Sequence, residues 1–138
     1  MASQDPFAST IQKSNQFLRE IESEMGWEDR KAQAYAALRI VLQTLRDRLT
    51  VEEAADFGAQ LPQLIRGIYY EGWKPSAVPK KISKEQFINI VQENFFYSVE
   101  LTTPELIKRV FRVFERYVSE GEIKDVKAEL PKKLKDLF

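Results

Sequence analysis

The sequence predicts an all-α protein: a helical bundle built from two tandem copies of a roughly four-helix unit that share one core. Two observations support this. Apolar residues recur at the three- and four-residue spacing of amphipathic helices through most of the 138 residues. The second half of the chain also repeats the first at an offset of 69 positions. Because one copy of a short repeat cannot bury its apolar face alone, we expect a single domain over residues 1–138.

The repeat is centred on a Leu-Pro dipeptide. The offset also aligns identical residues on the N-terminal side of this dipeptide, and on both sides it keeps apolar character at many positions. The identities include Val41 with Val110, Glu53 with Glu122, Asp56 with Asp125, Ala59 with Ala128, and Leu61-Pro62 with Leu130-Pro131. We place repeat 1 at about residues 7–73, a linker at 74–82, and repeat 2 at about 83–138.

Repeat 1 contains four predicted helices. The first begins near Phe7, and the second carries a clean apolar stripe over residues 34–49. Thr50 followed by Glu53 has the capping-box form and starts the third helix. That helix should end just before Pro62, because a residue that precedes proline is pushed out of helical conformation. Pro62 then fits the first turn of the fourth helix, where its missing N–H is harmless.

Repeat 2 carries equivalent signals after the proline-containing linker. Ser83 and Ser119 each stand three residues before a Gln or Glu, which is again the capping-box form, and Thr103-Pro104 opens the helix between them. Strand content is expected to be close to none. The aromatic and β-branched run 94–99 has the composition of a locally extended segment, and it is the main exception to a helical prediction.

Two blocks of the chain suggest a family. Residues 37–49 and the block Gly58 to Trp73, which includes Leu61-Pro62 and Glu71-Gly72-Trp73, resemble the bacterial domain of unknown function 2267 family. The resemblance extends over residues 17–138. It implies a small bacterial cytoplasmic all-α domain, and it transfers no catalytic residues because that family has no established activity.

Composition excludes several kinds of chemistry. The chain contains no His and no Cys, so it lacks a thiol nucleophile, a Ser-His-Asp triad, an imidazole base and a Cys/His zinc site. Its five glycines form no phosphate-binding loop. An all-oxygen magnesium or calcium site is open in principle, but the acidic residues do not fall at calcium-loop spacing. We therefore predict no catalytic residue, no metal site and no cofactor, which favours a non-enzyme.

Charge gives little indication of a partner. Lys plus Arg equals Asp plus Glu at 21 each, so nucleic acid is not expected. Arg46 to Arg48 are interpreted as part of a solvated helix face. Arg109, Arg112 and Arg116 share one face, which Glu105 and Glu115 could neutralise. No apolar run is long enough to span a bilayer and no signal peptide is evident, so we expect a cytoplasmic location without peripheral membrane contact.

The binding candidates come from a difference between the copies. Where repeat 2 has Lys135 and Asp136, repeat 1 carries a block that includes Arg66, Tyr70, Glu71 and Trp73. A feature of one copy is not required by the shared packing, and Arg, Tyr and Trp are frequent in binding hot spots. Packing is the competing interpretation, in which Trp73 seals the core beneath the linker and Gly67 allows two helices to approach closely.

Two functions follow as hypotheses. The first is a non-catalytic helical interaction module that docks a protein partner, or a second copy of itself, through the surface around Arg66, Tyr70 and Trp73. The alternative is a small-ligand-binding protein or a carboxylate-dependent enzyme with an apolar pocket between the repeats. That pocket would be lined by Tyr70, Trp73, Phe95 and Phe96, with Glu71 nearby.

Overall fold

A computed structural model describes residues 5–138 and confirms the all-α prediction. The helices of this part of the chain are α1 (Ala8–Met25), α2 (Lys31–Arg48), α3 (Val51–Ala59), α4 (Gln63–Tyr70), α5 (Lys84–Asn94), α6 (Thr103–Tyr117), α7 (Glu120–Glu129) and α8 (Lys132–Lys135). A single 3-10 turn, Pro75–Ala77, interrupts the segment between α4 and α5. Within residues 5–138, no helix combines the length and apolar content needed to cross a bilayer.

Helix boundaries recur at the same offset as the residues. The C-terminal ends of α1 and α2 and the N-terminal ends of α3 and α4 each lie 69 positions before a boundary of α5 to α8. These boundary pairs are Met25 with Asn94, Arg48 with Tyr117, Val51 with Glu120, and Gln63 with Lys132. The equivalent caps Thr50 and Ser119 and the equivalent prolines Pro62 and Pro131 explain why α3 and α7, and α4 and α8, begin alike in both halves.

Aromatic rings from both halves meet in the core. Phe17 of α1 stacks on Tyr117 of α6 with 4.4 Å between ring centroids, and it lies 6.2 Å from Phe114. Phe57 of α3 packs edge-on to Phe114 at 5.8 Å, and it also contacts Tyr69 of α4 at 5.7 Å. All of these rings except that of Tyr117 are fully buried. Each half therefore supplies apolar surface that covers the other.

The predicted capping boxes form to different extents. Ser83 and Gln86 make a complete box at the start of α5, because the Ser83 side chain accepts from the Gln86 N–H and the Gln86 side chain accepts from the Ser83 N–H. Thr50 and Ser119 cap α3 and α7 with their hydroxyl oxygens. The prediction that Glu53 and Glu122 complete these two capping boxes is wrong. The N–H groups of Thr50 and Ser119 donate instead to Glu129 and Gln60, in the opposite repeat.

The two prolines lie one position earlier relative to their helices than predicted. Pro62 and Pro131 are the N-cap residues of α4 and α8, each with ψ 149°, rather than members of the first turn. Proline fixes φ but leaves ψ free, so the chain turns the corner at the proline itself and the helix begins at the next residue.

The run 94–99 contains no strand. α5 ends at Asn94, and Phe95 has an extended backbone with φ −105° and ψ 106°. Its ring stacks on Trp27 with 6.2 Å between centroids. Phe96 is instead 86% exposed, so the irregular segment divides its two neighbouring phenylalanines between the core and the surface.

Candidate functional site

Arg66, the first binding candidate, holds the corner between α3 and α4. Its Nε donates to the carbonyl oxygen of Gly58 at 2.9 Å, and its Nη2 donates to those of Ala59 and Leu61 at 3.0 Å each. These carbonyls lie at and beyond the C-terminus of α3, where a helix leaves acceptors without intrahelical donors. The guanidinium of Arg66 therefore stabilises the helix end, and a docking role would have to coexist with these three bonds.

Tyr70 and Trp73 pack on each other and on the core. Their ring centroids lie 5.3 Å apart, and both side chains are partly buried. Tyr70 also covers Gly58, where an added Cβ would lie 2.5 Å from the Tyr70 hydroxyl oxygen and 2.9 Å from Cε2 of Tyr69. The close approach expected at Gly67 is wrong, because a Cβ there would meet nothing within 4 Å. Glycine is needed for packing at Gly58 instead.

Glu71 lies at the surface and binds α2. Its carboxylate forms an ion pair with Arg39 at 2.9 Å, and both side chains are largely exposed. Its backbone carbonyl accepts from Nη1 of Arg46 at 2.9 Å, and the carbonyl of Tyr69 accepts from the same nitrogen at 2.7 Å. Arg46 is only 4% exposed, so its interpretation as a solvated residue is wrong. Its buried guanidinium donates hydrogen bonds to the carbonyl oxygens at the C-terminus of α4.

The basic face of α6 is paired with acidic residues. Arg112 and Arg116 both reach Glu24 of α1, at 3.2 and 2.5 Å, and Arg109 pairs with Glu105 at 3.1 Å. Partial burial acts to raise the pKa of Glu24, but the hydrogen bonds from the two arginines outweigh it and hold that pKa below its usual value. Glu105 neutralises Arg109 as predicted. Within residues 5–138, Arg112 and Arg116 pair with Glu24 of α1 and not with Glu115, so that part of the prediction is wrong.

An open groove of about 590 Å³ runs along one side of α2. We call it the α2 groove and define it by its lining residues Ala32, Tyr35, Ala36, Arg39, Ile40, Gln43, Asn94, Phe96 and Tyr97. Phe96, Tyr97 and Tyr35 are 86%, 44% and 39% exposed. Of the four residues expected to line a pocket between the repeats, the groove includes Phe96 but neither Tyr70 nor Trp73, and Phe95 faces Trp27.

Helices α3 and α7 pack against each other and exchange caps. The carboxylate of Glu129 accepts from the Thr50 N–H, and the side-chain oxygen of Gln60 accepts from the Ser119 N–H at 2.7 Å. Thr50 and Ser119 are equivalent positions of the repeat, as are Gln60 and Glu129. The two contacts are therefore related by a local pseudo-twofold axis that passes between the two helices, and α3 and α7 run antiparallel across it.

Acidic residues meet at this axis. One carboxylate oxygen from each of Glu53, Glu122 and Asp125 lies within 4.8 Å of the other two. Glu122 is 7% exposed, and no donor in residues 5–138 reaches its Oε2 or the Oε2 of Glu53. Burial, a hydrogen bond with Glu53 and the nearby carboxylates of Glu53, Asp56 and Asp125 together raise the pKa of Glu122 to about 8. We call Glu53, Glu122 and Asp125 the axial acidic cluster.

The axial acidic cluster was missed in the sequence, although a signal for it was present. Glu53 with Glu122 and Asp56 with Asp125 are two of the few identities between the repeats. Both pairs lie on α3 and α7, which pack together. Identical residues at equivalent positions meet when the helices that carry them face each other across a twofold axis. The missing information was that α3 faces α7.

These features define a small all-α protein whose two similar halves meet along an antiparallel helix pair. The chain belongs to the family described as an uncharacterized conserved protein, domain of unknown function 2267, whose family model matches residues 14–137. The resemblance seen in the Gly58 to Trp73 block is thereby confirmed. A comparison with curated proteins finds no match.

Proposed function

We propose that this protein is a non-catalytic helical interaction module that docks a helical segment of a partner protein in the α2 groove. The observation that carries the proposal is the 86% exposure of Phe96, a large apolar ring held in water beside Tyr97. We expect the module to act in the bacterial cytoplasm. The surface around Arg66, Tyr70 and Trp73 remains the alternative docking surface.

The distribution of exposed apolar side chains supports the α2 groove. Seven large hydrophobic side chains are exposed within residues 5–138, and three of them, Tyr35, Phe96 and Tyr97, line this one groove. Apolar area left in water is unfavourable by roughly 25 cal/mol per Å². Exposed apolar residues that cluster on one side of a domain are typical of interaction sites, whereas single scattered ones are not.

The shape of the α2 groove favours a helix as its occupant. Ala32, Ala36 and Ile40 lie at four-residue spacing on α2 and form one apolar row along it. Small alanine side chains allow a partner backbone to approach closely. Residues 32–43 extend over about 16 Å of α2, at 1.5 Å per residue, which corresponds to about three turns of a docked helix. Arg39, held by Glu71, supplies a polar rim.

The test compares two exposed apolar residues. Tagged wild type, Phe96→Ala and Leu64→Ala are used to capture partners from bacterial cytoplasm. Leu64 is 48% exposed and lies outside the α2 groove, which makes it a matched control. The captured partner's binding segment is then mapped and titrated as a synthetic peptide. We expect Phe96→Ala to weaken peptide binding about 30-fold, corresponding to about 2 kcal/mol, and Leu64→Ala to leave it unchanged.

Other outcomes would reassign the surface. A partner kept by Phe96→Ala but lost by folded Trp73→Ala would move docking to the surface around Arg66, Tyr70 and Trp73. A groove that instead binds a second copy would give concentration-dependent sedimentation that Phe96→Ala abolishes. Equal binding of the peptide by wild type, Phe96→Ala and Leu64→Ala would contradict docking in the α2 groove. Circular dichroism on each variant separates loss of binding from loss of fold.

A further inference from the structure

We propose that the axial acidic cluster of Glu53, Glu122 and Asp125 holds one hard divalent cation between α3 and α7. This is a site separate from the α2 groove, and it does not depend on the docking proposal. It joins the two halves of the chain, because Glu53 belongs to α3 and the other two ligands belong to α7.

Distances within the axial acidic cluster fit a single ion. The three carboxylate oxygens all lie within 4.8 Å of one another. Oxygen ligands bind Mg²⁺ at about 2.1 Å and Ca²⁺ at about 2.3 to 2.6 Å, so two ligands of one ion are separated by at most about 5 Å. An ion placed between the three oxygens can therefore reach all of them after small side-chain rotations.

The burial of Glu122 is a second observation, independent of how the acids are grouped. Glu122 is only 7% exposed, and its Oε2 has no hydrogen-bond donor among residues 5–138. The N–H groups that box glutamates usually bind, those of Thr50 and Ser119, are already taken by Glu129 and Gln60. A buried carboxylate oxygen without a donor is strongly unfavourable unless a cation or a proton satisfies it.

No protein cation is available to do so. None of the ion pairs formed within residues 5–138 involves Glu53, Glu122 or Asp125. The choice is therefore between a bound metal ion and a proton shared by Glu53 and Glu122. The third carboxylate, that of Asp125, favours the metal ion, because a proton shared by Glu53 and Glu122 uses only two carboxylates, whereas a coordination shell uses all three.

The ligand chemistry selects the class of ion. The cluster offers only carboxylate oxygens, which favour Mg²⁺, Ca²⁺ or Mn²⁺ over the softer zinc and copper ions. Asp125 is exposed and Glu53 is half-buried, so the site opens to solvent on one side. Water molecules can complete the shell there, as both Mg²⁺ and Ca²⁺ require when the protein supplies few ligands.

The test is direct titration of the full chain, freed of metal with EDTA, with MgCl₂, CaCl₂ and MnCl₂ separately. Isothermal calorimetry measures all three, and electron paramagnetic resonance of free Mn²⁺ gives a readout that does not depend on heat. We expect one ion per chain with a dissociation constant of about 1 mM or lower. Glu122→Gln should abolish binding, and Asp125→Asn should weaken it at least about tenfold through loss of a ligand charge.

Glu52→Gln is the matched control, since Glu52 is an exposed glutamate of the same first turn of α3. It should bind like wild type. Wild type that takes up none of the three ions below about 1 mM would overturn the proposal and leave the shared proton as the state of the pair. Binding that survives Glu122→Gln would also overturn it, because the ion would then lie elsewhere on the surface.

Discussion

Glu129, the last residue of α7, accepts hydrogen bonds from both the backbone N–H and the hydroxyl of Thr50, at 2.9 and 2.8 Å. Thr50 is the N-cap residue of α3, in the other half of the chain. Gln60 makes the equivalent contact with Ser119. Its Nε2 donates to the Ser119 hydroxyl oxygen, and its Oε1 accepts from the Ser119 N–H. Each half therefore caps a helix of the other, and this exchange fixes the register of α3 against α7.

We expect Glu129→Ala to lower the free energy of unfolding by about 1 kcal/mol, because it removes two bonds at a helix N-cap. Glu129→Gln should lose less, since glutamine does the same task at Gln60 in the other half. Urea denaturation measures both. A Glu129→Ala change smaller than about 0.5 kcal/mol, the size of an ordinary surface substitution, would show that the exchanged cap adds nothing.

Two glycines should respond to alanine with opposite signs. Gly58→Ala would place a Cβ against the Tyr69 and Tyr70 rings, so we expect a loss of about 2 kcal/mol from overpacking. Gly67→Ala meets nothing within 4 Å in the middle of α4, so it should gain about 1 kcal/mol from helix propensity. Thermal and chemical denaturation give the signs. Equal effects at both positions would contradict the packing assigned to Gly58.

Arg66→Ala should lower the free energy of unfolding by about 2 kcal/mol, because three carbonyls at the α3–α4 corner lose their charged donor. Lys135→Ala is the matched control, since Lys135 occupies the equivalent position of the repeat and is exposed. It should change stability by less than about 0.5 kcal/mol. If Arg66→Ala is equally silent, the structural role of Arg66 is wrong and its role in docking gains support.

Stability in EDTA should depend on pH through Glu122. Its pKa is raised to about 8, so the folded state holds this proton more tightly than the unfolded state. The contribution of Glu122 to the free energy of unfolding is then greatest below its ordinary pKa of about 4.5, and it falls as the pH rises from there to about 8. Glu53, Asp56 and Asp125 all face Glu122 with the same sign and act in the same direction.

The measurement is the difference between wild type and Glu122→Gln in urea denaturation at a series of pH values. Glutamine cannot titrate, so the variant should lose the part of the slope due to Glu122 and become relatively more stable above neutral pH. Glu52→Gln should follow the wild-type curve. Curves for wild type and Glu122→Gln that stay parallel across this range would contradict the raised pKa of Glu122.

Much of the fold could be predicted because its signals are local. The N-caps at Thr50, Ser83 and Ser119 and the corners at Pro62 and Pro131 depend on a few neighbouring residues. Such positions can therefore be predicted from the sequence alone. Arg46 was misjudged for the opposite reason, since its partners, the carbonyls of Tyr69 and Glu71, lie more than twenty residues away.

The same division applies to the candidate sites. The block that includes Arg66 and Trp73 stood out because it occurs in one repeat only, but where these side chains point depends on α3 and α4 packing together. The exposure of Phe96 and the burial of Val91 are also results of packing, because both residues are apolar and the sequence does not distinguish them.

The sequence by itself determined that this protein is all-α, where its capped helices α3, α5 and α7 begin, and which residues are equivalent in its two halves, because hydrophobic period and helix capping act over a few residues. Only the tertiary structure decided that α3 meets α7 across a pseudo-twofold axis. That arrangement brings Glu53 and Glu122 together and gives their usual capping partners to Glu129 and Gln60. The physical reason is that contact between distant residues depends on how whole helices pack, which no local pattern specifies.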